Sequence, residues 1–169
     1  MIKAIVYNSH SGFTKQYAFS FAVSTGLPIY TIKEAKKKLN KNDEIIYFSW
    51  VNASKISNLN KVKNYDIKYI AAVGLSLYSE KLIGDLKKSA NTNNIYYLQG
   101  GIRWVELNPF ERLLMKSILK SLKKKEKKGN ITEEELILLE RINYGYDKID
   151  LNSLVHLIEW YNNQNILVQ

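Results

Sequence analysis

Apolar residues along this chain gather in short runs that alternate with stretches of helical spacing. Residues 2–7 (IKAIVY) form a β-branched and aromatic run halted at once by Asn8, Ser9, Ser11 and Gly12, which predicts a strand running straight into a loop. Over 13–24 the apolar positions Phe13, Tyr17, Ala18, Phe21 and Ala22 recur at helical spacing, and Gly26 marks the stop. A strand over 27–32 is followed by a lysine-rich helical stretch over 33–39 and then by the strongly apolar run 44–50 (EIIYFSW). Beyond it the pattern predicts a weak helix over 54–63, a strand over 68–75, a helix over 79–90 and a strand over 94–98, ending in Gln99-Gly100-Gly101. Runs that are apolar on both pleat faces and joined by helices specify a parallel sheet covered on both sides, an α/β doubly wound fold.

A closing helix is expected over 151–163, with Leu151, Leu154, Val155, Ile158 and Tyr161 or Asn162 along one face and Asp150 or Asn152 as cap. About 50 residues separate it from the fifth strand, where such connections usually take 2–6. They read as a helical insertion, about 102–148, within a single domain spanning 1–169. Its first helix covers 108–128, with Pro109 early and Phe110, Leu113, Leu114, Ile118, Leu119 and Leu122 as an apolar stripe. Gly129-Asn130 breaks that helix, and Thr132 with Glu135 makes a capping box for a second one over 133–142.

Composition narrows the chemistry. The 169 residues are 46% hydrophobic, enough for a packed core. With no cysteine there are no disulfides, thiolate metal sites or cysteine nucleophile, and two histidines leave little for a metal site, so none is expected. The N-terminal apolar run is too short for a signal peptide, and no run reaches about 18 apolar residues, so a cytoplasmic protein is expected. The net charge of +9 is uneven: residues 110–128 hold eight basic residues against two acids, +6, and the remainder, 17 against 14, only +3. A basic segment of this kind points to an anionic partner such as a lipid surface, nucleic acid or an acidic protein, or else to a solvated lysine-rich face.

Ligands of open parallel sheets bind beyond the carboxyl ends of the strands. The loop after the first strand carries hydroxyls at Ser9, Ser11 and Thr14 beside the backbone N–H groups near Gly12 and a helix N-terminus, a cradle for an anion. Neither GxxxxGK[ST] nor GxGxxG is present, so a single phosphate group fits better than a nucleoside triphosphate or a dinucleotide. His10 reads as an exposed loop histidine and His156 as a structural one.

The order of residues 5–18 (IVYNSHSGFTKQYA) resembles the flavodoxin FMN-phosphate signature, with Phe19 departing where that signature prefers an aliphatic residue. The resemblance implies a flavodoxin-like sheet of five parallel strands in the order 2-1-3-4-5 and a bound FMN. It implies cofactor contacts from Ser9, His10, Ser11, Gly12, Phe13 and Thr14, from Ser49, Trp50, Val51, Asn52 and Ala53 after the third strand, and from Leu75, Ser76 and Tyr78 after the fourth. Trp50 and Tyr78 are expected to flank the flavin ring.

Residues 99–116 (QGGIRWVELNPFERLLMK) are similar to the segment after strand five in the flavodoxin-domain family that includes the menaquinone-dependent protoporphyrinogen dehydrogenases. That similarity implies an FMN-dependent oxidoreductase with a small-molecule donor and a quinone acceptor. The basic charge of 110–128 adds the expectation of peripheral contact at the inner face of the membrane, and nucleic acid is not expected as partner. Arg103 and Trp104 stand where they can cover the flavin or anchor the insertion. A flavodoxin-type electron carrier, or a flavin-free binding module using the basic helix, are the alternatives.

Overall fold

Successive residues of a strand point to opposite faces, and here both faces meet helices. Ile5, Ile46, Phe48 and Ala71 pack in one core with Tyr17, Phe21 and Tyr161, while Val6, Ile45, Tyr47 and Ala72 pack in another with Ala35 and Leu86. The computed structural model describes residues 1–147 and 149–166. In chain order it shows β1 (Ala4–Asn8), α1 (Phe13–Thr25), β2 (Ile29–Thr31), α2 (Ile32–Lys38), β3 (Glu44–Asn52), β4 (Lys55–Ile56) and β5 (Asp66–Gly74). There follow α3 (Glu80–Ala90), β6 (Ile95–Gln99), α4 (Pro109–Lys127), α5 (Glu133–Tyr144) and α6 (Val155–Ile166). The sheet order is β2-β1-β3-β5-β6, with all these neighbours parallel. This is the flavodoxin-like doubly wound arrangement, since β4 is an extra two-residue strand off the main path.

Three local expectations are corrected. No helix forms over 54–63: Ala53 and Ser54 both adopt left-handed backbone (φ 46° and 56°), and β3 runs two residues further and turns back into β4, pairing Val51 with Ile56 and Asn52 with Lys55. Burial of Ile56 and Val62 compensates this turn, which lacks the usual Asn-Gly, and only the 3-10 turn Leu59–Lys61 is helical. The second strand stops at Thr31, whose hydroxyl and the Glu34 carboxylate form a capping box that starts α2 at Ile32. The closing helix is split: Asp150 caps a 3-10 turn, Leu151–Leu154, ahead of α6. Its buried face is Leu154, Leu157 and Tyr161, whereas Leu151 and Val155 are exposed.

The insertion has its own core of Ile102, Leu122, Leu139 and Ile142. Its two ends are zipped where Ile102 N–H donates to the Tyr146 carbonyl (2.8 Å) and Tyr146 N–H to the Ile102 carbonyl (3.0 Å). The predicted α4 stripe is divided: Leu122 is buried, but Phe110 and Leu113 face outward, 74% and 67% exposed. Among the described residues no helix is long and apolar enough to cross a membrane.

Candidate functional site

The carboxyl ends of β1, β3, β5 and β6 all open on one edge of the sheet, and that edge holds a cavity of about 340 Å3. Of the expected contacts, His10, Ser11, Phe13, Thr14, Trp50, Val51, Asn52, Ala53, Leu75 and Ser76 line it. Ser9 and Gly12 instead line a second depression on the other side of the same loop. Ser49 is fully buried and occupied, its hydroxyl donating to the Ser57 carbonyl at 2.8 Å and accepting from Asn8 Nδ2 at 3.3 Å. Tyr78 is 66% exposed and outside the cavity wall, while Ser79 caps α3 by accepting from Leu82 N–H.

Gly12 ends the loop in left-handed backbone (φ 81°) and starts α1 with no side-chain cap and no acid in the first turn. The free N–H groups and positive end of α1 therefore lie beside the Ser11 and Thr14 hydroxyls, a donor set suited to an anion. The far wall depends on close backbone approach. A Cβ on Gly101 would lie 2.2 Å from the Tyr146 carbonyl oxygen and 2.4 Å from Phe13 Cζ, and one on Gly74 would lie 2.4 Å from the Tyr97 hydroxyl. Tyr97 donates to the Ser76 carbonyl at 2.6 Å, and burial pushes its phenol far up, so it stays a neutral donor. Gln99 Nε2 donates to the carbonyls of Gly74, Leu75 and Ser76 (3.0–3.1 Å), and Arg141 Nη1 to that of Leu75 (2.8 Å), so the loop after β5 is fastened on two sides.

The insertion roofs part of the cavity. Leu107, Glu111, Leu114, Met115 and Ile118, with Leu138 and Ile142 from α5, complete the lining. These roof positions were not among the expected contacts. Leu114 and Ile118 belong to the apolar stripe that the spacing predicts for the first insertion helix, and the other roof positions carry no local signal in the sequence.

Among the described residues, Ser9 Oγ and Trp50 Nε1 are buried side-chain polar atoms without a partner, whereas the buried Glu111 Oε1 meets His10 Nδ1. All three surround His10: Ser9 precedes it, Trp50 meets its ring edge-on at 4.9 Å, and Glu111 contacts its Nδ1. Buried polar groups are seldom left without partners, so Trp50 Nε1, the unpartnered atom among the residues lining this cavity, marks a place suited to a polar ligand.

Arg103 does not offer a free charge. Its guanidinium bonds both carboxylate oxygens of Asp147 (2.8 and 2.7 Å), reaches Glu106 at 3.3 Å and stacks on Phe13 at 4.7 Å. Hydrogen bonds from Arg103 hold the Asp147 carboxyl below the usual aspartate range. Trp104 anchors the insertion, its Nε1 donating to the Ile142 carbonyl at 2.6 Å. His156 lies on the exposed side of α6 beside Glu159. In comparisons with known proteins the chain matches no family model and no curated sequence.

Proposed function

We propose that the chain binds FMN in the roofed cavity and is an oxidoreductase passing electrons from an organic donor to a quinone. Ser11, Thr14 and the first N–H groups of α1 would hold the phosphate, and Trp50 would present its indole to the flavin. The donor set fits: hydroxyls and an uncapped helix start at one end, and an apolar wall with one unpartnered indole at the other. Bound FMN supplies reversible one- and two-electron chemistry, while the protein orients the donor and excludes water.

The observation that carries the enzyme reading is the roof. A carrier exchanges electrons through an exposed ring edge, whereas here Leu114, Met115 and Ile118 of α4 roof part of the space. A largely apolar cleft of this size takes one small organic molecule, here the flavin, and a donor would meet the ring at the open mouth beneath α4. A porphyrinogen donor and a menaquinone acceptor are the pair implied by the resemblance of residues 99–116, with α4 as the face toward a membrane quinone.

The test is oxidation of protoporphyrinogen with a soluble menaquinone analogue, using the flavin-loaded protein and a variant with 102–148 replaced by a short Gly/Ser linker. Activity that is lost in a variant still binding FMN supports the reading. Flavin-loaded protein that oxidises no porphyrinogen but exchanges electrons with a flavin reductase is a carrier, and failure to retain FMN leaves a flavin-free binding module.

A further inference from the structure

We propose that the basic groove beside the β1–α1 loop is a second ligand site, one that takes the diphosphate group of an organic diphosphate ester. The groove, about 610 Å3, lies on the β2 side of the loop, opposite the roofed cavity. Three elements bring cations to it: Lys15 from α1, Lys33 and Lys36 from α2, and Lys61 from the 3-10 turn after β4. No acid lines it, and among the described residues none of these four ammonium groups pairs with a carboxylate. Glu34, the nearby acid on α2, has its carboxylate turned onto Thr31, accepting from the backbone N–H at 2.8 Å and the hydroxyl at 2.7 Å.

Four lysines around one groove, set against the single nearby Glu34 carboxylate, leave it with an excess of positive charge that an anion relieves. One phosphoryl group carries about −1.5 to −2 at neutral pH, short of the net +3 that four lysines and Glu34 leave, so two linked groups match the groove better than one. Ser9 contributes the buried hydroxyl that lacks a partner and lies in this wall. Tyr7, half-buried in the same wall, offers a ring face to the organic part, and burial, followed by the nearby Glu34 charge, keeps its phenol protonated. Nothing in this argument rests on flavin binding, because the two depressions are separate sides of one loop.

Calorimetric titration of the full chain, with and without saturating FMN, tests it with pyrophosphate, ADP, orthophosphate and AMP as probes. Pyrophosphate and ADP are expected to bind at least tenfold more tightly than orthophosphate and AMP. Lys33→Gln with Lys36→Gln weakens them tenfold or more, and Ser9→Ala weakens them several-fold. Lys87→Gln with Lys88→Gln, an equal charge change at the far end of α3, leaves them unchanged; circular dichroism checks that both double variants fold. Equal weakening by the two double variants overturns the proposal, since net charge alone then accounts for binding. Loss of ADP binding on saturation with FMN overturns it too, since groove and flavin-phosphate site would be one. If FMN does not bind while ADP binding still needs Lys33 and Lys36, the flavin reading falls and the groove stands.

Discussion

His10, on the loop after β1, contacts Glu111 in the first turn of α4 through its Nδ1, so the loop at the sheet edge and the roof above it are joined side chain to side chain. The other Glu111 oxygen accepts from Asn108 N–H at 2.9 Å as half of a capping box. One carboxylate therefore both starts the roof helix and ties it down.

Replacing Glu111 by Ala is expected to cost about 1 kcal/mol through the lost capping interaction. It should also loosen the roof over Trp50. Urea unfolding measures the first effect and faster acrylamide quenching of tryptophan fluorescence the second; unchanged quenching in a destabilised variant would confine Glu111 to capping.

Gly101 and Gly84 should respond oppositely to alanine. At Gly101 the new methyl meets a backbone carbonyl and a buried ring, neither of which yields, so a loss of more than about 2 kcal/mol is expected. Gly84, inside α3 with nothing within 4 Å of the added carbon, should gain roughly 0.5–1 kcal/mol from its better helix propensity. Denaturant midpoints of the two variants decide it.

The strands, the two insertion helices and most of the cavity floor were legible because each is a local pattern: an apolar run, a capping box, a hydroxyl-rich turn. The β3–β4 turn was hidden because Ala53 and Ser54 are held in left-handed backbone by burial of Ile56 and Val62, a tertiary cause without a local signal. The same limit applied to charge. Arg103 looked available until Asp147, 44 positions away, was placed against it, and Lys15, Lys33, Lys36 and Lys61 form a cluster only once folded. Exposure of Leu151 and Val155 follows from the 3-10 turn at Leu151–Leu154, which rotates the helix face away from the one the spacing implied.

Acid should weaken the base of the insertion. The Asp147 carboxyl titrates lower in the folded chain than its unfolded value of about 3.9, because Arg103 donates to its ionised form. The stabilisation is thus present in full above that value and is lost as pH falls through the lower, folded one. The difference in thermal midpoint between the native chain and Asp147→Asn should be constant near neutrality and shrink towards zero in strong acid. A difference independent of pH would remove the ion pair from the account.

FMN should quench the fluorescence of Trp50 on binding, and riboflavin, lacking the phosphate, should bind more weakly because charge-assisted hydrogen bonds are lost. Trp50→Ala is expected to weaken FMN by roughly 1 kcal/mol or more from lost aromatic contact, about a fivefold change or larger. Affinity and spectrum unaltered in that variant would make Trp50 a packing partner of His10 alone.

The outer face of α4 should bind anionic membranes. Val105, Phe110 and Leu113 stand exposed, while Leu114, Met115 and Ile118 of α4 line the cavity. Further along, Lys125 is paired with Glu135 and Lys123 bonds Asn143, but Lys124, Lys127 and Lys128 make no ion pair among the described residues. Each basic residue near an acidic lipid surface contributes about 1 kcal/mol, and salt near 1 M cuts the screening length to about 3 Å. The protein should therefore sediment with vesicles containing phosphatidylserine, and not with neutral ones, and high salt should release most of it. Substituting Gln for Lys123, Lys124, Lys125, Lys127 and Lys128 should abolish binding, whereas Phe110→Ser with Leu113→Ser should leave charge-dependent capture but make it more easily reversed by salt. Neutral and anionic vesicles capturing the protein equally would place the interaction on the apolar residues alone. Failure of the lysine variant to change sedimentation would make α4 only a roof, and a quinone acceptor would then have to reach the cavity from solution.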